Sequence, residues 1–281
     1  SLITLINKLR GRNDIFRPFL IYESVKVMVS VGIFLFLIIA GIISGIVSAV
    51  ASMASLVSYP ALLLAGCSPV VANITNTAAL IFTGPGVLLA SAKKMRGHWR
   101  EFGKYCIFLL TGAILGSILL IIFPGKVFEK LVPFFVLFSS VILLTGNKTK
   151  DEKHPQTRSK LGKISAYLGL FIGGIYSGYF GAAAGVIHLI CINYLSDDEF
   201  FVVNAMKDLV GALANLVALI VFIFGAHVNW LMAIAMALGL FIGGYLGQYS
   251  VKFLSFKKVS WITFGFSLLL FAWLFYTAYL G

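Results

Sequence analysis

The chain has 281 residues, 60% of them hydrophobic and 11% charged, and a mean hydropathy of +0.99. A soluble globular chain runs at about 45–50% apolar and about 25% charged, so composition argues against a water-soluble fold and for a polytopic helical membrane protein. The net charge of +12 does not signal a nucleic-acid partner, because most Lys and Arg lie in short segments beside apolar runs, where orientation in a bilayer accounts for them.

Residues 1–29 place Leu2, Leu5, Ile6 and Leu9 on one face, with Lys8, Arg10 and Arg12 nearby. That pattern predicts an interfacial helix at the cytoplasmic surface, with a disordered basic tail as the alternative. No cleavable signal peptide is visible. Eight apolar segments follow, at roughly 30–65, 70–92, 105–123, 131–145, 164–195, 203–224, 230–250 and 259–280. About 20 residues span the hydrocarbon, so the first and fifth are too long for one straight crossing. Each carries small residues near its middle, "GIVSAVASMAS" (45–55) and "GYFGAAAG" (178–185). Two half-helices joined by unwound backbone account for both features.

Three pairs of short motifs recur. "GIISG" (41–45) matches "GIYSG" (174–178), "HW" (98–99) matches "NW" (229–230), and "GAILG" (112–116) matches "GGYLG" (243–247). The expected fold is all-α: about eight transmembrane helices in two tandem four-helix repeats, with discontinuous first and fifth helices. The repeats cover 30–145 and 164–281, joined by a Lys-rich cytoplasmic linker at 146–163. If every segment crosses fully, sixteen Lys and Arg fall on the side of 1–29, 93–104, 146–163 and 225–229, against five on the side of 66–69, 124–130, 196–202 and 251–258. The positive-inside rule then predicts a multi-pass protein of the cell membrane with both termini cytoplasmic.

Within this apolar context, "KDLVGALAN" (207–215) stands out. At 100° per residue, Asn204, Lys207, Asp208, Gly211 and Asn215 share an arc of about 100°. Offset by 131, Asn73, Asn76, Thr77, Leu80 and Gly84 form the equivalent arc of the first half. Polar stripes face a bundle interior, since lipid would leave them unpaired. Helix glue, or snorkelling of Lys207 and Asp208 to an interface, is the competing reading. Half-helix N-termini favour anions, and Ser52, Ser55 and the backbone from Gly181 to Gly185 would sit at the breaks. With one buried ammonium and a single deep acid, Asp208, an anion site is expected rather than a metal cage of carboxylates. Asp208 projects about 100° away from Lys207 around the helix, so a bound anion framed by the amides of Asn76, Asn204 and Asn215 is expected to offset the ammonium better.

Other residues read more plainly. His188 is a proton-relay candidate beside Asp208, though a lone His packed against a carbonyl is commoner. Cys67, Cys106 and Cys191 are isolated, with no CxxC pair, so neither a disulfide framework nor a zinc site is indicated. Trp99, Trp230, Tyr249 and Trp261 fit interfacial belts.

The sequence resembles the TauE/SafE sulfite exporter family, also called the toluene sulfonate uptake permease family, over roughly 30–280. "PALLLAGCSPVVANITN" (60–76) is similar to a family element in which Pro60, Gly66, Ser68, Pro69, Ala72, Thr75 and Asn76 match. Gly178, Gly181 and Gly185 resemble its glycine turn, Lys207 and Asn215 its K-x7-N helix, and Trp99 and Trp230 its helix-opening tryptophans. "SMAS" (52–55) replaces the first-half glycine run, and Ser48 stands where an acid is often found, which puts proton coupling through that acid in question. The resemblance implies a secondary transporter of small organosulfur or related anions (sulfite, sulfonate, thiosulfate class), coupled to an ion gradient. The expected substrate-binding residues are Lys207, Asn76, Asn215, Thr75, Asn204, Thr77, Ser52 and Ser55, with Asp208 and His188 as coupling residues. The partners are a small anion, the lipid bilayer and a proton or other coupling ion, with a homodimer left open and no cofactor or metal. The rival classes are a passive anion channel, which would pass uncoupled flux, and a membrane-embedded enzyme or assembly factor. An enzyme would need clustered acids, His or Cys, or a nucleophile with its base, and no apolar segment carries such a group.

Overall fold

A computed structural model of the chain describes residues 31–123, 125–145, 159–250 and 253–280. The expected interfacial helix at 1–29 and most of the linker at 146–163 lie outside these residues. The regular structure among the described residues is α-helical: α1 (Val31–Ala51), α2 (Ser55–Leu64), α3 (Pro69–Leu80), α4 (Thr83–Ser91), α5 (Trp99–Ile122), α6 (Gly125–Thr145), α7 (Lys160–Tyr179), α8 (Ala184–Leu195), α9 (Phe200–Gly225), α10 (Trp230–Ser250) and α11 (Phe256–Tyr279). Among the described residues, six spans are long and apolar enough to cross a membrane: α1, α3 with α4, α5, α9, α10 and α11. Ile39, Leu115, Phe138, Leu168, Phe224, Leu238 and Leu269 point outward and exposed. Water would penalise such a surface; lipid would not.

Both overlong apolar segments are broken, α1 from α2 and α7 from α8. The second segment is also interrupted, at Ile81 and Phe82. Pro85, early in α4, has no N–H to give back and crowds the carbonyl four residues earlier. Thr83 Oγ1 donates to the freed Leu80 carbonyl at 2.7 Å.

The expectation that the two broken segments cross the membrane fully is overturned. Ser44 Oγ donates to the Ala54 carbonyl at 2.7 Å, although ten residues of straight helix would separate them by about 15 Å. The chain therefore turns back, and α2 lies against α1. In the other break, Gly173 faces His188, Gly169 faces the Cys191 sulfur and Gly162 faces the Tyr194 hydroxyl. One index falls as the other rises, so α8 runs antiparallel to α7.

Folding back changes which loops share an end of the bundle. His98 Nδ1 lies 3.0 Å from Asp198 Oδ2, and the Lys94 ammonium lies 4.1 Å from the Phe201 ring centre. Loops 93–98 and 196–199 therefore meet, where the charge count had set them on opposite sides. At the other end, the Cys67 and Met232 sulfurs are 3.3 Å apart, Gly225 packs on Ile121, and the Tyr279 hydroxyl donates to the Lys130 carbonyl at 3.1 Å. The start of α1 and the end of α11 belong to that second end, whereas the end of α6 and the start of α7 belong to the first. The expectation that both termini share a side with the linker fails for these helix ends. Two hairpins in place of two crossings shift the parity of every loop between them.

Two glycine seams hold the hairpins. On α1, a methyl added to Gly41 would lie 2.5 Å from the Met236 carbonyl oxygen of α10, and one on Gly45 would lie 2.5 Å from the Gly243 carbonyl carbon. On α5, Gly112 and Gly116 pack in the same backbone-to-backbone way on Phe171 and Ile175 of α7, and Gly174 and Gly178 return the contact to Leu109 and Ala113. Lipid tails give helices no hydrophobic reason to associate, so close van der Waals approach through small residues supplies the attraction. "GIISG" thus packs against the helix that carries "GGYLG", and "GIYSG" against "GAILG". Each motif meets the helix of the other pair.

In a variant with Cys67, Cys106 and Cys191 replaced, single cysteines at Lys94→Cys and Glu199→Cys should react with an impermeant maleimide from the same side of the membrane. His227→Cys should react from the other. Labelling of the first two from opposite sides would contradict the hairpins.

Candidate functional site

The two breaks touch each other. A methyl added to Gly185, at the start of α8, would lie 2.8 Å from the Ser52 carbonyl oxygen in the first break. Ser52 has φ 63°, Ala183 φ 60° and Gly181 φ 77°. The left-handed region costs a residue with a Cβ roughly 1–2 kcal/mol, so Ser52 and Ala183 hold only because their surroundings fix them. A cavity of about 60 Å³ opens beside this contact, room for a few waters. Ser52 and Ser55 line it from the first break, Gly181, Ala184 and Gly185 from the second, and His188, Lys207, Asp208, Gly211 and Asn215 complete much of the wall. A side chain at Gly211 would meet nothing within 4 Å; its absence is part of the opening.

Unwound backbone inside an apolar bundle must find partners, since each unsatisfied group is costly. Each break recruits side chains from other helices. Asn73 Nδ2 of α3 donates to the Tyr179 carbonyl at 3.1 Å, and Ser139 Oγ of α6 donates to the Ala182 carbonyl at 2.8 Å. Asn76 Nδ2 donates to Ser55 Oγ at 3.2 Å. Tyr59 and Phe180 pack edge to face at 5.4 Å, and Phe135 stacks on Phe180 at 5.7 Å. These rings wedge the second break against α2 and α6.

Lys207 is 2% exposed. Its ammonium donates to the Ser48 carbonyl at 3.0 Å and to Ser52 Oγ at 2.9 Å, and lies 2.8 Å from Asp208 Oδ1. It caps the C-terminal end of α1, where unpaired carbonyls and the helix dipole favour a cation. An ammonium has three donors, and all three are taken. The expectation that Asp208 points away from Lys207 is therefore corrected. The Cβ directions of adjacent residues do differ by about 100°, but a four-carbon stem lets the ammonium swing back to the carboxylate. Asp208 Oδ2 also accepts from Gln248 Nε2 of α10 at 2.8 Å, and Oδ1 accepts a weak bond from Ser48 Oγ at 3.4 Å. The acid is held from three helices.

Of the ten residues expected at the site, Lys207, Asp208, His188, Ser52, Ser55 and Asn215 line the cavity. Asn76 reaches it through Ser55. Thr75 Oγ1 instead accepts from the Asn229 amide that opens α10, at 3.1 Å, and Thr77 Oγ1 bonds back to the Asn73 carbonyl at 2.9 Å. Asn204 is buried away from the cavity lining, with its Nδ2 unpartnered. His188 is 1% exposed. Its imidazole packs against Gly173 of α7. Ser44, Ser139 and Gln248 were not anticipated. Each is a small hydroxyl or amide side chain within an apolar run, and only the partner carbonyl or carboxylate shows its role. Among the described residues, no three His, Cys, Asp or Glu side chains gather where they would hold a metal ion.

The apolar outer face, the re-entrant breaks and the buried polar cavity together define a multi-pass helical membrane protein. The family described as sulfite exporter TauE/SafE matches residues 37–274, and the chain belongs to that family. A "Probable membrane transporter protein" of Haemophilus influenzae is 26% identical over 215 residues, covering 75% of this chain and 82% of its own. "Probable membrane transporter protein YfcA" of Escherichia coli is 25% identical over 221 residues, covering 75% and 78%. "Probable membrane transporter protein YunE" of Bacillus subtilis is 23% identical over 245 residues, covering 76% and 87%. No solved structure matches the chain.

Two substitutions test how the site is built, by thermal denaturation of the purified protein. Asn73→Ala strands the Tyr179 carbonyl and should cost about 1–3 kcal/mol. Gly211→Ala, on open space within α9, should be neutral or stabilise by about 0.5–1 kcal/mol. An unchanged melting temperature for Asn73→Ala would show that the second break does not depend on that amide.

Proposed function

We propose that the protein is a secondary transporter of a small organosulfur or related anion, driven by an ion gradient, and that the cavity between the two breaks is its binding site. The observation that carries this reading is Lys207, an ammonium 2% exposed at a polar cavity of about 60 Å³ where two helix breaks touch. A buried cation costs about 2.5–3.5 kcal/mol on insertion scales, and such groups mark ion and substrate paths. The N-termini of α2 and α8 both open onto the cavity through Ser55, Ala184 and Gly185, and unpaired amides at a helix start attract anions. Asn215 and Ser52 add polar groups to the lining.

The architecture proposed is two repeats of inverted orientation. Each begins with a broken hairpin (α1–α2, α7–α8), follows with a polar-striped crossing (α3–α4, α9), and ends with two more helices (α5 and α6, α10 and α11). The matched motifs, the antiparallel entry of the hairpins and the exchanged glycine seams support this reading. In inverted-repeat transporters, anion sites lie at the repeat interface near the bilayer midplane, framed by half-helix N-termini. We assign the end bearing 93–104, 146–163 and 251–258 to the cytoplasm. Those loops carry fourteen Lys and Arg, against seven at the other end, five in 1–29 ahead of α1 and two in loop 124–130.

Calorimetric binding to purified protein, screened over sulfite, thiosulfate, sulfoacetate, taurine and small carboxylates, tests the site. Lys207→Met should abolish binding of whichever anion the unaltered chain takes, and Asn215→Ala should weaken it about tenfold, the worth of one hydrogen bond to a charged group. Both should leave the protein folded. Wild-type affinity in Lys207→Met would reduce Lys207 to a cap on α1.

A further inference from the structure

We infer that Asp208 is a built-in competitor for the substrate anion, so that the anion and one proton bind together; this rests on the anion-site reading above. The argument starts from the saturation of Lys207. Its three acceptors are the Ser48 carbonyl, the Ser52 hydroxyl and Asp208 Oδ1. An anion approaching the ammonium must take the place of one of them. The carbonyl is fixed in α1, and the hydroxyl is neutral and can turn to donate to the newcomer. Asp208 alone carries a charge of the same sign as the substrate.

Charge then decides the sequence. Empty, the site holds one ammonium and one carboxylate, and its net charge is zero. A monoanion entering alone would set two negative groups around one positive group in a setting where water screens little. A proton added to a carboxylate oxygen of Asp208 restores neutrality. One O–H bond forms, the ion pair with Lys207 is given up, and the substrate takes its place. Loaded and empty states carry the same charge.

A second observation points to the same step. Gln248 is fully buried, donates Nε2 to Asp208 Oδ2 at 2.8 Å, and has an unpartnered Oε1. A carboxylate can use only the donor end of that amide, while a carboxylic acid has an O–H to give. A half-turn of the amide presents Oε1 to that O–H. Gln248 is thus suited to both forms of Asp208, and its idle acceptor is idle only while Asp208 is ionised. The other groups around this acid leave few rival proton carriers. Lys207 shares its helix, α1 and α10 contribute the neutral Ser48 and Gln248, and α4, α7 and the second break contribute Thr83, Ser177 and Gly181 to the cavity wall. His188 of α8 is the one other titratable group lining the cavity, and it must be tested separately.

Methanesulfonate is the probe, because it stays a monoanion throughout the accessible pH range. Its binding to the purified full chain is measured calorimetrically at several pH values, in two buffers of different ionisation heat. The unaltered protein should take up one proton per anion at alkaline pH, and affinity should fall about tenfold for each pH unit there. Asp208→Asn should bind at least as tightly as the unaltered protein does at acid pH, with no proton uptake and no pH dependence. His188→Gln alters the cavity wall and is read only by its proton count, which should stay at one per bound anion. Wild-type binding without proton uptake overturns the inference and leaves the anion site standing, a result that needs no variant. Proton uptake that survives in Asp208→Asn, or vanishes in His188→Gln, overturns it as well. If the unaltered chain binds neither methanesulfonate nor thiosulfate at any pH, the site itself is removed, and the inference with it.

Discussion

Unwound backbone in the middle of an apolar bundle is the condition on which the rest of this structure depends. Inside a membrane protein a helix satisfies its own polar groups, and any interruption exposes carbonyls and amides that lipid cannot serve. Here two interruptions meet, and side chains elsewhere in the bundle reach their carbonyls. Asn73 takes the free Tyr179 carbonyl and Ser139 the free Ala182 carbonyl, while Ser44 and Lys207 add second donors to the Ala54 and Ser48 carbonyls, which already accept backbone N–H groups. A cation suits the last position because the dipole of α1 ends there. The same cation creates the need for a counter-charge, which Asp208 fills. Polar groups in the core are thus consequences of the breaks before they are features of a site.

The glycine seams make that arrangement rigid enough to hold a cavity open. α1 lies against α10, and α7 against α5, at backbone contact through Gly41, Gly45, Gly174 and Gly178. With each hairpin clamped to a helix far away in sequence, the tips at Ser52 and Gly185 are brought together from opposite ends of the bundle. Two apolar clusters back them. One gathers Tyr59, Phe128 and Phe180 near the second break, and the other gathers Leu109, Leu170 and Met206 beside α9.

Much of this was legible in the chain. Length alone marked the first and fifth apolar runs as broken, and small residues marked where. Helical periodicity gathered Lys207, Asp208, Gly211 and Asn215 on the face that lines the cavity. The direction of the chain after each break was not legible. Left-handed φ at Ser52 and Ala183 reverses the path; Gly181 advertises a turn in the second break, but the first break has no glycine to do so. Counting Lys and Arg with the wrong parity still gave a clear majority, because 93–104 and 146–163, with eleven Lys and Arg between them, share a side in either count. Periodicity also reports where a Cβ points and not where a long side chain ends, so the Lys207–Asp208 pair was invisible to it. Gln248 and Ser139 carry no pattern at all; each acts through a single partner from a distant helix.

The central claim is that an anion sits where the two breaks meet, beside Lys207. Crystals of the protein soaked with selenite would report this directly through the anomalous scattering of selenium. The account predicts a selenium peak within the cavity, between Ser52 and Gly185, with an oxygen at hydrogen-bond distance from the Lys207 ammonium. A cavity holding only water, with selenium confined to the outer surface or to another part of the bundle, would contradict it.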